Sequence, residues 1–124
     1  MSKKYPKGKG IYIAGPMTGY PSYNEDSFKK ANIFLSKTYG GAIVNPSVIV
    51  MSIYRNNVII ATHFNYDRFI DVLKNIMEKE CDTIALLPGW EKSKGAKIEL
   101  HHALKNGMKV ILLSQKDLDD QKID

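Results

Sequence analysis

Short apolar runs alternate with stretches of helical periodicity along the chain. Residues 10–15 (GIYIAG) are β-rich and end at Gly15-Pro16, which predicts a buried first strand. From Asn24 to Tyr39, Phe28, Ala31, Phe34 and Leu35 recur at helical spacing before Gly40-Gly41, with Asn24 or Ser22 as a possible cap. Ala42 to Val44 reads as a second strand closed by Asn45-Pro46. Asp67 to Glu80 places Ile70, Leu73, Ile76 and Met77 on one helical face. A third strand over Asp82–Leu87, a helix over Gly95–Asn106 and a fourth strand over Met108–Leu113 follow.

Residues 47–66 resist this reading. They carry Val48, Ile49, Val50, Ile53, Val58, Ile59 and Ile60, interrupted by Arg55-Asn56-Asn57, and read as a long functional loop holding a short helix. No internal repeat is present. Strands alternating with helices predict a three-layer α/β fold, flavodoxin- or Rossmann-like, with a mainly parallel sheet of about 4–5 strands. Strands apolar throughout fit a sheet covered on both faces. The expected organisation is one domain over 1–124, with a flexible basic tail at 1–9 and a polar tail at 114–124.

Composition narrows the function classes. The 124 residues are 44% hydrophobic and 25% charged, as expected of a soluble globular chain. No apolar run approaches the roughly 18 residues of a membrane helix, and the N-terminus lacks a signal-peptide pattern, so no membrane partner and a cytoplasmic location are expected. The net charge of +5 owes much to Lys3, Lys4, Lys7 and Lys9. No aromatic–basic interleaving builds a platform for bases, so nucleic acid is not the expected partner. A mild positive field still favours a small anion. Cys81 is the single cysteine and reads as a small buried residue.

Ligands of such folds bind beyond the C-terminal ends of the strands. The informative loops fall there: AGPMTG after the first strand and PGWEKSKGA after the third. Gly95-Ala96 opens a helix whose unpaired N–H groups suit an anion such as phosphate. Ser93 adds a hydroxyl, and Lys92 and Lys94 add charge; the competing reading makes Ser93 a plain helix cap. Glu99 lies about one turn into that helix, sharing its side with Ala96 and Ala103 and flanked on the buried side by Leu100 and Leu104. It is expected at the border of core and cleft, ionised by the nearby helix start. An oriented carboxylate serves glycosyl chemistry as nucleophile or as stabiliser of an oxocarbenium-like transition state. An ordinary surface glutamate is the bland alternative. Tyr12, near the end of the first strand, can point a hydroxyl into the site. His101 and His102 lack metal-ligand spacing, so no metal is expected. Asp82 reads as a turn or cap residue.

The segments IYIAGPMTG at 11–19, VNP at 44–46 and CDTIALLPGWEKSKGAKIELHHA at 81–103 resemble the nucleoside 2-deoxyribosyltransferase-like superfamily, most closely its small DUF4406 branch. That resemblance implies cleavage or transfer of an N-glycosidic bond by a homodimer or higher homo-oligomer without a cofactor. It implies a catalytic role for Glu99, a sugar-side role for Tyr12, and reading of the sugar's 5′ end by Ser93. Substrate would also meet Gly15, Pro16, Met17, Thr18 and Gly19 in the first loop, and Pro88, Gly89, Trp90, Gly95 and Ala96 in the second. A serine at position 93 resembles hydrolases of nucleoside 5′-monophosphates, whereas transferases acting on free nucleosides carry aspartate there. A serine donates to phosphate, which an aspartate would repel. Lys74 stands where the superfamily has a base-contacting aspartate, with Asp71 one turn earlier as the substitute acid. Thr18 stands where the nucleotide hydrolases have arginine. The expectation is therefore a nucleotide N-glycosidase; transfer to a second base, or capture of a nucleotide without turnover, are the alternatives.

Overall fold

The computed structural model describes residues 10–56 and 66–123; the basic segment 1–9, residues 57–65 and Asp124 lie outside them. Four strands, β1 (Gly10–Ala14), β2 (Ile43–Val44), β3 (Cys81–Leu86) and β4 (Lys109–Leu112), form one parallel sheet in the order β2-β1-β3-β4. The helices are α1 (Glu25–Thr38), α2 (Pro46–Asn56), α3 (Tyr66–Glu80), α4 (Lys94–Lys105) and α5 (Gln115–Asp119). No helix among the described residues is long and apolar enough to cross a membrane.

β1 is buried at all five positions and β3 at every position but Asp82, because alternate side chains enter different cores. Ile11, Ile13 and Ala85 pack with Phe28, Ala31 and Leu35 of α1, Val50 of α2 and Leu118 of α5. Tyr12, Ala14, Ile84 and Leu86 face the other way, against Leu73 and Met77 of α3 and Ala103 of α4. The result is the three-layer α/β arrangement with a parallel sheet that the periodicity predicts. Register places Tyr12 beside Ile84 and Ala14 beside Leu86, so β1 and β3 end together.

Two segments differ from the pattern. Of the segment 47–66, expected as a loop holding a short helix, residues 57–65 lie outside the described residues, and the first half belongs to the 11-residue helix α2. Its start is well formed: Pro46 occupies the first turn, and the Asn45 side chain accepts from the Ser47 N–H at 3.0 Å. The β-branched run Val48-Ile49-Val50 argues against a helix locally, but burial of Val50 and Met51 overrides it. The polar stretch after β4 folds into α5. Ser114 and Asp117 form a capping box, and Leu118, 1% exposed, joins the α1-side core.

The start of α1 also departs from expectation. Ser22, Tyr23 and Asn24 have φ of 47°, 53° and 64°, and Asn24 makes no capping bond. Its Nδ2 instead donates to the Pro16 carbonyl at 2.9 Å, tying the loop after β1 to the helix that follows.

Candidate active site

The ends of β1 and β3 bring the two glycine-containing loops together. Leu87 donates its N–H to the Ala14 carbonyl at 2.9 Å, extending the pairing by one residue. Gly15 lies against the Leu87 side chain so closely that an added Cβ would sit 2.7 Å from the Leu87 Cβ. Leu87 is fully buried and cannot withdraw. Gly15→Ala is therefore expected to destabilise the protein by about 1–3 kcal/mol through overpacking. A denaturant midpoint equal to that of the wild type would contradict this close approach. Gly89 has φ of 89°, and a Cβ there would lie 3.6 Å from the Tyr20 hydroxyl and 3.8 Å from Pro16. The second loop thus turns back over the first.

Between the loops lies a cavity of about 300 Å³. Gly15, Pro16, Met17 and Thr18 line one side, joined by Tyr20, which pattern alone does not single out. Lys92, Ser93, Lys94 and Gly95 line the other. Pro88, Gly89 and Trp90 are half-buried and shape the loop without lining the cavity; Trp90 packs on the α3–α4 core. Gly19, φ 88°, is exposed at the turn of the first loop.

Ser93 caps α4: its Oγ accepts from the Ala96 N–H at 3.1 Å. That bond employs the Ala96 amide, and Ala96 is fully buried, so Ala96 supports the site without offering its N–H to a ligand. The Ser93 hydroxyl proton remains a donor, because a hydroxyl donates once and accepts twice. Capping and ligand contact are thus compatible at this residue. Lys92 and Lys94 flank it, both exposed.

The other chemical feature is a buried pair. The Tyr12 hydroxyl donates to Glu99 Oε2 at 2.5 Å across 87 positions of sequence. Tyr12 is 0% exposed and Glu99 1% exposed. Tyr12 reaches the glutamate because the β1 alternation sends it to the α3–α4 face. Glu99 arrives from the first turns of α4, one turn beyond Gly95 and so about 6 Å along the axis. The separation lies in the range of charge-assisted O–H···O⁻ bonds. Burial disfavours the carboxylate charge, while the hydroxyl and the adjacent helix start favour it. The glutamate is more deeply buried than a border position implies, and neither it nor Tyr12 lines the cavity. Leu104, expected on the buried side, is 56% exposed instead.

The remaining candidates lie elsewhere. Asp71 is exposed on α3 and lines neither cavity. Lys74, half-buried, faces a second cavity on the outer side of α4 with His101 and His102. His102 Nε2 pairs with Glu78 at 2.7 Å. Among the described residues no group of three or more His, Cys, Asp or Glu side chains is placed to hold a metal. Cys81, the single cysteine, is buried at the start of β3. Asp82 accepts from the Thr83 hydroxyl at 2.9 Å within that strand.

Fold and site together define a parallel α/β protein with a loop-walled cavity and a buried tyrosine–glutamate pair beside it. Residues 9–112 match the family described as Domain of unknown function (DUF4406), and the chain belongs to that family. No curated protein and no solved structure matches the chain.

Proposed function

We propose that this protein hydrolyses the N-glycosidic bond of a (deoxy)nucleoside 5′-monophosphate, releasing the free base and the sugar 5-phosphate. The observation that carries the reading is the Tyr12–Glu99 hydrogen bond, a buried and oriented carboxylate one helical turn from a helix start that lines a cavity. The similarity of both loops to the nucleoside 2-deoxyribosyltransferase-like superfamily supports it further. In this scheme the phosphate sits at the start of α4, receiving the Ser93 hydroxyl and the charges of Lys92 and Lys94. The sugar then lies toward Glu99. Its carboxylate attacks C1′ or stabilises positive charge there as the C1′–N bond breaks and the base departs with the bonding electrons. Water then attacks C1′, displacing the Glu99 oxygen where that bond had formed; one water proton passes to the departed base and the other stays on the new C1′ hydroxyl of the sugar 5-phosphate. Tyr12 holds Oε2 and fixes the carboxylate's orientation.

Ser93 favours a phosphorylated substrate over a free nucleoside, which separates this reading from deoxyribosyl transfer between bases. Capture of a nucleotide without turnover is the second reading. It is favoured by the burial of Glu99 and by Lys74 in place of a base-contacting acid. Incubation with a panel of nucleoside 5′-monophosphates separates the two: free base by chromatography is expected, and tight binding with no base released would establish capture instead.

A homodimer in the cytoplasm belongs to the same proposal. Val48 of α2 is 62% exposed and Leu112 of β4 is 68% exposed, leaving apolar surface for a second copy to cover. A monomer by light scattering at micromolar concentration would remove this part.

A further inference from the structure

The outer side of α4 carries a second cavity, of about 480 Å³. Lys94, Lys97, Ile98, His101 and Lys105 recur along it at the spacing of one helical stripe, and Lys74 closes it from α3. The stripe from Lys94 to Lys105 runs about 16 Å. Among the described residues five lysines, two histidines and Ile98 line the cavity, and no acidic residue does. None of these lysines is ion-paired to a described residue; among the described residues Glu78 bonds a lining side chain, that of His102.

Stability alone disfavours this arrangement. Lys94 and Lys97 are like charges three residues apart, at the end of the helix where the dipole is already positive. The first turns of α1 and α5 hold Glu25, Asp26 and Asp117, whereas the first turn of α4 holds no acid. Lys92 and Lys94 also line the cavity that contains Ser93, so the two cavities adjoin at the helix start. An anion seated at Ser93 thus has a continuous path of positive charge leading away from it along α4.

We infer that the lysine-lined groove of α4 receives further phosphates attached to the 5′-phosphate, so that the preferred ligand is a nucleotide bearing a polyphosphate chain. This rests on the proposed placement of the first phosphate at Ser93. Each added phosphate brings negative charge opposite lysines that form no ion pair with a described residue, and the contact is electrostatic and salt-sensitive.

Calorimetry with orthophosphate and tripolyphosphate tests the groove without reference to any base. Wild type should bind tripolyphosphate at least about tenfold more tightly than orthophosphate, a difference worth about 1.4 kcal/mol. The triple variant Lys74→Gln/Lys97→Gln/Lys105→Gln should lose most of that preference. Lys29→Gln/Lys37→Gln/Lys122→Gln, which removes the same charge from exposed positions elsewhere, should keep it. Equal affinity for both anions in wild type, or equal loss in both triple variants, overturns the groove. The groove and the catalytic reading have distinguishable outcomes. Base release from a monophosphate, with no lower KM for the matching triphosphate, would leave that reading standing and remove this one. Preference for tripolyphosphate without base release from any nucleotide would do the reverse.

Discussion

Glu99→Gln is expected to leave the fold and nucleotide binding intact while reducing base release by roughly 10²- to 10³-fold or more, the scale of losing one electrostatic partner of a transition state. The glutamine side chain keeps the shape of glutamate, and its carbonyl oxygen can still accept from the Tyr12 hydroxyl. What it lacks is negative charge, which is what a positively charged C1′ requires. At 1% exposure Glu99 packs tightly among its neighbours, so a change that conserves shape is the one that isolates the effect of charge. Rates are to be compared by chromatographic detection of free base, alongside thermal melts of both proteins. Unchanged turnover in the variant would remove Glu99 from the chemistry and reduce the Tyr12–Glu99 bond to a structural link between β1 and α4.

Ser93→Asp should produce a selective loss. Aspartate caps helices as well as serine does, so the bond to the Ala96 N–H is retained and the start of α4 should remain stable. The new carboxylate, however, lines the cavity where a 5′-phosphate is proposed to sit. Each charge-assisted hydrogen bond to phosphate contributes roughly 1.5–3 kcal/mol, so loss of one, with like-charge repulsion added, should weaken monophosphate binding at least about tenfold. Binding of the nucleoside lacking the phosphate should hardly change. Calorimetry on both ligands with both proteins makes the comparison. Equal losses for nucleoside and monophosphate would mean that Ser93 only caps the helix.

Much of this architecture was legible in the chain because its hydrophobic periods are clean. The runs at 10–15 and 82–87 can only be strands buried on both faces, and the stripe of Ile70, Leu73, Ile76 and Met77 can only be one side of a helix. The segment of α2, where the pattern gives a short helix within a loop but not its bounds, shows the limit of local pattern. Val48-Ile49-Val50 has strand propensity, and only the tertiary burial of Val50 and Met51 makes it helical. The tail helix was hidden for the opposite reason, since its anchoring depends on a single leucine, Leu118. At the candidate site, the loops were visible from their glycines and their positions after strands. Strand placement suggested only that Tyr12 can point a hydroxyl into the site; its nearness to Glu99 was implied by the family resemblance, and the depth of the glutamate was not legible at all. It depends on how far β1 and α4 overlap. Tyr20 reaches the cavity only because the first loop folds back under Gly89, which no period encodes. The groove along α4 was equally concealed: its lysines look like an ordinary solvated face until α3 places Lys74 opposite them.

The central claim is that the chain delivers water to C1′ of a nucleotide. Reaction of a nucleoside 5′-monophosphate in ¹⁸O-labelled water, followed by mass spectrometry of the products, tests it most directly. The account predicts equimolar free base and sugar 5-phosphate, with the heavy oxygen on C1 of the sugar and none on the base. Intact nucleotide after prolonged incubation across all common bases, or sugar recovered only on a second base with no label, would contradict it.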